Sequence, residues 1–305
     1  MLLAVVGFLA GLGLLLFGAD RTVRAAAELA LYYGVSAFFI GVTVISIGTS
    51  IPEMTTSVYA AWYGAGDLVV GNIVGSETAQ ITLALGVVAL VAPVETERRT
   101  VLVYGGAMVL AMVIMILTLD DGIVRSEGLL MMLAYAIFVH DLYTSEGGEE
   151  VVDEVVEAPE PPARAAPTIA IGIVFVVVGG HLLVTNGTTV ASLLGVPTYL
   201  VGLLTGLGTT APEIGVAGLA ARRGEHGVSL GSLLGSNITD PVFSLGVGAL
   251  VADVTVSDPT GVLLSTGYML GVSLLVLGLL YWRRGLDRRG AVLCLLLYLP
   301  SFAVL

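Results

Sequence analysis

The sequence predicts an all-α polytopic membrane protein: ten transmembrane helices in two inverted five-helix repeats, with broken helices at the membrane midplane. Three observations predict this fold class. Of the 305 residues, 56% are hydrophobic and 12% are charged, whereas an average soluble domain has about 25% charged residues. The charges are clustered and leave apolar runs of about 17–25 residues, long enough to cross a bilayer. A polar motif in the first half recurs in the second.

Ten apolar segments can be assigned in order along the chain. The first has no basic residue before Arg21, whereas a secretory signal needs positive charge ahead of its apolar core, so we expect a retained helix. The predicted segments lie near residues 1–30, 37–62, 68–92, 100–119, 127–144, 167–193, 198–221, 228–252, 260–282 and 290–305.

An acidic stretch that contains proline separates the fifth segment from the sixth. Residues 145–166 include seven acidic residues and three prolines. Dense like charge with little apolar content is typical of a flexible linker; a regulatory, ion-sensing loop is the alternative interpretation. The predicted organisation is therefore a first repeat at 1–144, a linker at 145–166 and a second repeat at 167–305.

The basic residues predict the orientation in the membrane. They are twelve arginines, and eleven of them fall in or beside the loops that follow odd-numbered segments, with Arg125 alone on the other side. Because positive charge accumulates on the cytoplasmic side, we expect the linker inside and both termini outside a plasma membrane. The net charge of −12 argues against a nucleic-acid partner, and the absence of lysine beside abundant acid suggests a halophile.

An internal repeat joins the two halves. Residues 48–53 (Gly-Thr-Ser-Ile-Pro-Glu) recur as residues 208–213 (Gly-Thr-Thr-Ala-Pro-Glu). A gapless alignment of residues 48–92 with residues 208–252 gives 17 identities in 45 positions. Five crossings separate equivalent positions, and an odd number turns the second half upside down. Inverted repeats of this kind place a substrate site at the midplane, between interrupted helices.

Each copy of the motif ends in a glutamate, Glu53 or Glu213, near the middle of an apolar segment. An ionised carboxylate at that depth costs several kcal/mol unless a partner compensates it. No basic residue lies at a comparable depth in the sequence, which argues against a salt bridge. A protonated carboxyl that ties helices together is the alternative interpretation.

The residues before each glutamate predict a break in the helix. Glycine is permissive and proline lacks an N–H group, so Gly-Thr-Ser/Thr-x-Pro forms helix poorly. A break releases backbone carbonyls such as those of Thr49 and Thr209, and free carbonyls at membrane depth need a partner. Hydroxyl, carbonyl and carboxylate oxygens together form the ligand shell that hard cations prefer.

The segment after each motif adds more oxygen ligands. Ser76 and Gln80 are four residues apart, as are Ser236 and Asp240, so each pair lies on one helical face. With Glu53, Glu213 and Asp240 ionised the site carries a charge of −3, which favours cations. Glu77 is a fourth acid in this region. Glycines spaced by four predict close helix packing, namely Gly71, Gly75, Gly231 and Gly235.

These paired motifs resemble the two alpha-repeats of the calcium/cation antiporter superfamily, and within it most closely those of the prokaryotic sodium/calcium exchangers. The resemblance covers the whole chain and includes the order of both copies. It implies sodium-driven calcium export by alternating access, without a cofactor, an enzymatic activity or an obligatory protein partner. The implied partners are the lipid bilayer and calcium and sodium ions. The first and sixth segments would slide as a gate.

The resemblance also implies roles for individual residues. The calcium ligands would be Glu53 and Glu213 with the backbone carbonyls of Thr49 and Thr209, and Gln80 and Asp240 would complete the central site. The flanking sodium sites would use the side chains of Ser50, Thr210, Ser76 and Ser236, and carbonyls near Ser46 and Gly206.

Three departures from the family pattern leave the transported ions open. Gln80 replaces the usual Asn, Thr210 replaces the usual Ser, and Glu77 stands where the second repeat has Asn237. The alternative is therefore an antiporter that transports another cation, such as magnesium, or one that couples calcium transport to protons. A membrane-embedded hydrolase is disfavoured because no histidine lies near the motif hydroxyls in sequence. A channel is disfavoured because a site of charge −3 would hold a divalent ion too tightly for rapid passage.

Overall fold

A computed structural model describes residues 2–64, 66–119, 122–146, 162–194, 210–256 and 259–301. Within these ranges the regular secondary structure is helical, apart from one two-stranded pairing and one isolated β-bridge. Three helices contain a π-helical turn, in which the backbone hydrogen bonds widen from i→i−4 to i→i−5.

Eleven helices make up the described part of the chain. They are α1 (Leu2–Tyr33), α2 (Ala37–Ile40, π turn Gly41–Ile45, Ser46–Thr49), α3 (Ile51–Trp62), α4 (Gly66–Ala79, π turn Gln80–Ala84, Leu85–Val91), α5 (Arg98–Thr118), α6 (Arg125–Glu146), α7 (Pro162–Leu193), α8 (Ala211–Arg222), α9 (His226–Thr239, π turn Asp240–Ser244, Leu245–Val251), α10 (Pro259–Arg283) and α11 (Arg288–Tyr298).

Six of the described helices are long and apolar enough to cross a membrane, or seven if the bent pair α2 and α3 forms one span, compared with the ten segments predicted. Helix α9 is long enough, but its polar residues, Asp240 among them, lower its mean hydropathy. Helix α11 has 11 residues, fewer than a span needs. Of the predicted seventh segment, the described residues include only the part from Thr210 onwards.

The observed helices also move the edges of the predicted linker. Helix α6 extends to Glu146 and α7 begins at Pro162, so both enter the stretch predicted as linker at 145–166. Proline is compatible with the first turn of a helix because the N–H group it lacks has no helical partner there. Residues 147–161 lie outside the described ranges.

Of two helices of similar length, the one with the higher mean hydropathy is the less buried. The 26-residue span Gly66–Val91 has a mean hydropathy of 1.6 and is 78% buried, whereas Leu2–Ala30 has a mean hydropathy of 2.5 and is 28% buried. The most apolar helix therefore faces outwards, as a helix in contact with lipid does, and the less apolar helix forms the interior.

The two halves pack against each other reciprocally. Helix α1 runs along α7, and α5 packs against α10. Helix α3 contacts the last part of α9, while its repeat equivalent α8 contacts the last part of α4. Helix α6 packs on the last part of α9, and α11 packs on the last part of α4. Each half thus completes the core of the other.

Glycines bring α1 and α7 into close contact. A Cβ atom on Gly172 would lie 2.3 Å from Thr22 Oγ1, and one on Gly179 would lie 2.4 Å from the backbone nitrogen of Leu15. Real Cβ atoms do not approach other atoms so closely, so glycine is required at both positions for this packing.

Two short backbone pairings link the halves at opposite ends of α5. Before α5, Val94 and Glu95 pair with Leu286 and Gly285 in an antiparallel arrangement. After α5, Ile123 pairs with Val254. Val94 and Val254 are equivalent positions of the repeat, 160 residues apart. The 21 residues of α5 separate the pairings by roughly 30 Å.

Candidate cation-binding site

The first copy of the motif breaks the helix at Ser50. Helix α2 ends at Thr49, α3 begins at Ile51, and their axes differ by 44°. Ser50 N–H donates to Ser46 C=O and Met54 N–H donates to Ser50 C=O, but no such helical bond across the break reaches the carbonyls of residues 47–49 in the described chain. Proline at position 52 has no N–H group to donate. The break thus leaves backbone oxygens available inside the protein.

Glu53 and Glu213 occupy equivalent places after this break. Glu53 lies in the first turn of α3, and Glu213 lies in the first turn of α8, which begins after Thr210. Both side chains are fully buried, and their carboxylate oxygens have no hydrogen-bond partner among the described residues. A helix N-terminus carries partial positive charge and stabilises an anion, but it does not neutralise a buried carboxylate.

The acids of the two halves converge without a compensating basic side chain. Glu53 interacts electrostatically with Glu213 and Asp240, and all three side chains are fully buried. All twelve arginines of the chain are exposed, so none of them neutralises this cluster. Buried charges without partners are costly, which makes the cluster a candidate site for an external cation.

Asp240 joins the halves through hydrogen bonds. Gln80 Nε2 donates to Asp240 Oδ2 at 3.2 Å, and Ser244 Oγ donates to Asp240 Oδ1 at 2.9 Å. Asn237 Nδ2 donates to Gln80 Oε1 at 2.9 Å. The hydroxyl of Ser50 is also a neighbour of the Asp240 carboxylate, although the two do not meet hydrogen-bond geometry. Helices α4 and α9 are therefore held together by side chains of the candidate site.

Gln80 and Asp240 each begin a π-helical turn. The turns Gln80–Ala84 and Asp240–Ser244 are equivalent in the repeat, and a third turn, Gly41–Ile45, precedes the motif in α2. Single π turns inside α-helices are frequent at functional sites because they change the direction of a side chain and free backbone groups.

Hydroxyl groups from both halves form a second network beside the acids. Ser46 Oγ is 3.2 Å from Thr239 Oγ1, which is 3.0 Å from the hydroxyl oxygen of Tyr135. Thr49 Oγ1 is 3.5 Å from Ser236 Oγ, and it is also a neighbour of the Glu213 carboxylate without meeting hydrogen-bond geometry. Helices α2, α6 and α9 thus supply adjoining oxygen atoms.

The remaining predicted hydroxyls differ in their bonding. Ser76 Oγ donates to the carbonyl of Ile73 at 3.0 Å, within its own helix. The hydroxyls of Ser50 and Thr210 are buried and have no hydrogen-bond partner among the described residues. Thr209 and Gly206, also predicted as ligands, lie outside the described residues.

Close glycine packing is observed in α9. A Cβ atom on Gly235 would lie 2.6 Å from Val42 Cα, and one on Gly231 would lie 2.6 Å from the Phe38 carbonyl oxygen. For the equivalent glycines Gly71 and Gly75, no described atom lies within 4 Å of the corresponding position. The close contact of α9 with α2 places Ser236 and Asp240 beside the break at Ser50.

The ligand chemistry must extend beyond carboxylates. In the described part of the chain, no group of three or more His, Cys, Asp and Glu side chains is arranged to hold a metal ion. A cation between the two glutamates would therefore also need hydroxyl, amide or backbone oxygens, as Ca2+ accepts in its shell of 6–8 oxygens.

Sequence reasoning missed two parts of this region. Tyr135 and Thr239 were not predicted as neighbours of the site, since neither belongs to the repeated motif. Asn237 was noted as the equivalent of Glu77 but not as a bridge to Gln80. Its place one residue after Ser236 was a signal that could have identified it.

Comparison with known proteins agrees with the resemblance. The family described as sodium/calcium exchanger protein matches residues 3–142 and 165–304. Putative antiporter CaxA of Alkalimonas amylolytica is 32% identical over 262 residues, which cover 83% of this chain and 82% of that protein. Sodium/calcium exchanger MaX1 of Methanosarcina acetivorans is 27% identical over 341 residues, which cover 97% of both chains.

Solved structures share the fold. The sodium-calcium exchanger NCX_Mj, soaked with 10 mM Na+ and zero Ca2+, is 30% identical to this chain with a TM-score of 0.81; the match covers 99% of this chain and 98% of that one. The family match spans both halves, and the apolar helices are those of a multi-pass membrane protein. The chain therefore belongs to the sodium/calcium exchanger family.

Proposed function

We propose that the protein is a secondary active antiporter that exports calcium in exchange for entering sodium by alternating access. One observation carries this proposal. Glu53 and Glu213, from the two halves, lie fully buried in the first turns of α3 and α8, and their oxygens have no hydrogen-bond partner among the described residues. Two carboxylates without donors form an anionic site that a divalent cation compensates.

Calcium is favoured by the kind of oxygen atoms that surround these glutamates. We assign Glu53 and Glu213, the carbonyls of Thr49 and Thr209, and Gln80 and Asp240 to the central site. Asp240 and the carbonyl of Thr49, which no helical bond across the break reaches in the described chain, support this assignment. Names of relatives, such as sodium/calcium exchanger MaX1, agree with it.

Sodium ions would occupy flanking positions with hydroxyl ligands. The unpartnered hydroxyls of Ser50 and Thr210 support such a role. The remaining ligands in this proposal are the hydroxyls of Ser76 and Ser236 and the carbonyls near Ser46 and Gly206.

Alternating access would use an inverted repeat. The backbone pairings of Val94 and Val254, equivalent residues at opposite ends of α5, support an inverted relation of the halves and ten crossings. Helices α1 and α7, which contact each other along their length, would slide as the gate. We place both termini outside the plasma membrane and the linker in the cytoplasm because of the arginine distribution.

Sodium-driven calcium uptake into proteoliposomes tests the function. Vesicles loaded with sodium and diluted into choline should take up radiolabelled Ca2+, and vesicles loaded with choline should not. Uptake that ignores the sodium gradient would contradict the proposal. Acidic medium should weaken uptake, since a protonated carboxyl is a poor cation ligand. Uptake that stays unchanged down to about pH 4, where carboxyls ordinarily take up protons, would count against carboxylate ligands.

A second cation remains a candidate because of Glu77. This fourth acid is fully buried, and its oxygens have no hydrogen-bond partner among the described residues. Uptake of labelled Ca2+ into the same vesicles, measured with added Mg2+ or with a proton gradient in place of the sodium gradient, decides between the candidates. If the vesicles transport Mg2+ and no Ca2+, magnesium replaces calcium as the proposed substrate.

A further inference from the structure

An acid and an amide exchange places between α4 and α9. Helix α4 carries Glu77 and, three residues later, Gln80, whereas α9 carries Asn237 and, three residues later, Asp240. These are equivalent positions of the repeat, and all four side chains are fully buried. Each half therefore contributes one acid and one amide to the same region, in opposite order.

Contacts between the helices differ accordingly. Asn237 Nδ2 donates to Gln80 Oε1 at 2.9 Å. The repeat places Glu77 and Asp240 in the corresponding relation, and the two buried carboxyls are electrostatic neighbours. The pair Asn237 and Gln80 is thus an amide that donates to an amide. The equivalent pair, Glu77 and Asp240, consists of two carboxylates.

Three buried acceptor oxygens at this place have no donor among the described residues. They are both carboxylate oxygens of Glu77 and Oδ1 of Asn237. The amide of Asn237 cannot turn to offer its nitrogen without losing the bonds from Nδ2 to Gln80 Oε1 and to the Leu233 carbonyl, each 2.9 Å long. Leaving buried acceptors unsatisfied is unfavourable, and most of all when the group is charged.

We propose that Glu77 and Asp240 share one additional monovalent cation of the sodium type, with Asn237 Oδ1 as a further ligand. The inference rests on the proposed function, because it adds an ion to the same central region. A monovalent ion fits better than a divalent one. Asp240 already accepts from Gln80 and Ser244, so at this place Glu77 is the carboxylate whose two oxygens both lack a donor among the described residues, and its single charge is matched by a monovalent ion.

The additional site changes the coupling between ions. With Glu77 ionised, the buried acids Glu53, Glu77, Glu213 and Asp240 carry a charge of −4 in place of −3. The protein then binds one more positive charge than it would with an amide at position 77. Glu77 is in this way a residue that sets how many monovalent ions are bound for each divalent ion.

Equilibrium binding of radiolabelled Na+ to the purified full-length protein tests the site without requiring transport. Glu77→Gln should bind one Na+ fewer per chain, or bind that ion at least tenfold more weakly. Glu77→Asp, which keeps the acid on a shorter side chain, should keep the count. An unchanged count in Glu77→Gln, which a protonated Glu77 would give, overturns the proposal.

Two controls keep the result interpretable. If Glu77→Gln is not monodisperse, Glu77→Asn, which copies the residue of the other half, takes its place with the same expectation. Sodium-driven Ca2+ uptake is measured on the same preparations. Absence of uptake in the unmodified protein refutes the proposed function and leaves the Na+ count to decide on Glu77, whereas uptake with an unchanged count in the variant refutes the additional site alone.

Discussion

The two halves of the molecule repeat their backbone more faithfully than their charge. Helices α4 and α9 both pass from α-helix through a π turn back to α-helix, and the turns begin at the equivalent residues Gln80 and Asp240. The halves are alike at Glu53 and Glu213 and unlike one helix later. A repeated scaffold can thus keep a shared pair of candidate ligands and still place the remaining acids asymmetrically.

Removing either shared glutamate should have the largest effect. Glu53→Gln and Glu213→Gln keep the shape of the side chain but remove a ligand charge, so each should lower sodium-driven Ca2+ uptake by about 100-fold or more, since removing a buried charge costs several kcal/mol. Glu97→Gln, which changes an exposed acid, is the matched control. Normal uptake by either variant would show that Glu53 and Glu213 are not equivalent in the two halves.

Making the halves alike at the next helix should have a smaller effect. Asp240→Asn gives α9 an amide where α4 has Gln80, and Asn Oδ1 can still accept the bond from Gln80. We expect about a tenfold loss of Ca2+ affinity, or about 1.4 kcal/mol, with the protein still folded. Ser244→Ala removes a donor to Asp240 but keeps the charge of the carboxylate, so the Ca2+ affinity of this variant should change less. An equal loss in both variants would assign the effect to packing.

A methyl group at Gly235 should act on stability. Its Cβ would lie 2.6 Å from Val42 Cα and 2.8 Å from Ser46 Cβ, so α9 and α2 would have to separate. We expect Gly235→Ala to cost about 1–3 kcal/mol, measured by thermal unfolding of the detergent-purified protein. At Gly106 a Cβ meets no described atom within 4 Å, so Gly106→Ala should not destabilise. Equal stability of the two variants would contradict the close packing.

The smallest effect is expected at a helix cap outside the membrane. Asp287 accepts from Gly290 N–H at 2.8 Å at the start of α11, whereas Glu127 accepts from Val124 N–H near the start of the equivalent helix α6. The bond from Gly290 lowers the pKa of Asp287. A lowered pKa contributes stability above the ordinary value of about 4 and loses it as the pH falls through the folded value.

Asp287→Ala should therefore lower the unfolding temperature slightly at pH 7 and leave it unchanged at an acidic pH below the folded pKa, where the carboxyl is protonated in both states. Thermal unfolding at the two pH values measures the difference. A fall of the same size at both pH values would mean that the charge of the cap contributes nothing.

Much of the helical order could be predicted from the sequence because apolar length and arginine position are local signals. The break at Ser50 followed from the glycine and proline around it, and the family followed from the two motifs. The π turns could not be predicted, because Gln80 and Asp240 begin them in a packed interior with no local proline or glycine pattern common to both. Tyr135 reaches Thr239 from α6, and a contact between residues 104 positions apart has no signature in a single sequence.

The count of spans shows a different limit. Counting apolar segments gave ten, but α9 carries Asp240 and other polar residues that lower its hydropathy, and α11 is short. Polar residues enter such helices because the partner half buries them, as with Gln80 on Asp240. Hydropathy therefore identifies an outward-facing helix such as α1 more readily than a helix such as α9, whose polar side chains are buried by the other half.

The most direct measurement of the central claim is the position of the bound ion. Crystals of the protein soaked with Ca2+ or Sr2+ should show anomalous scattering between Glu53 and Glu213, with both carboxylates among the ligands. Density that contacts neither glutamate would contradict a site shared by the two halves. Density that contacts residues of one half alone would contradict it as well.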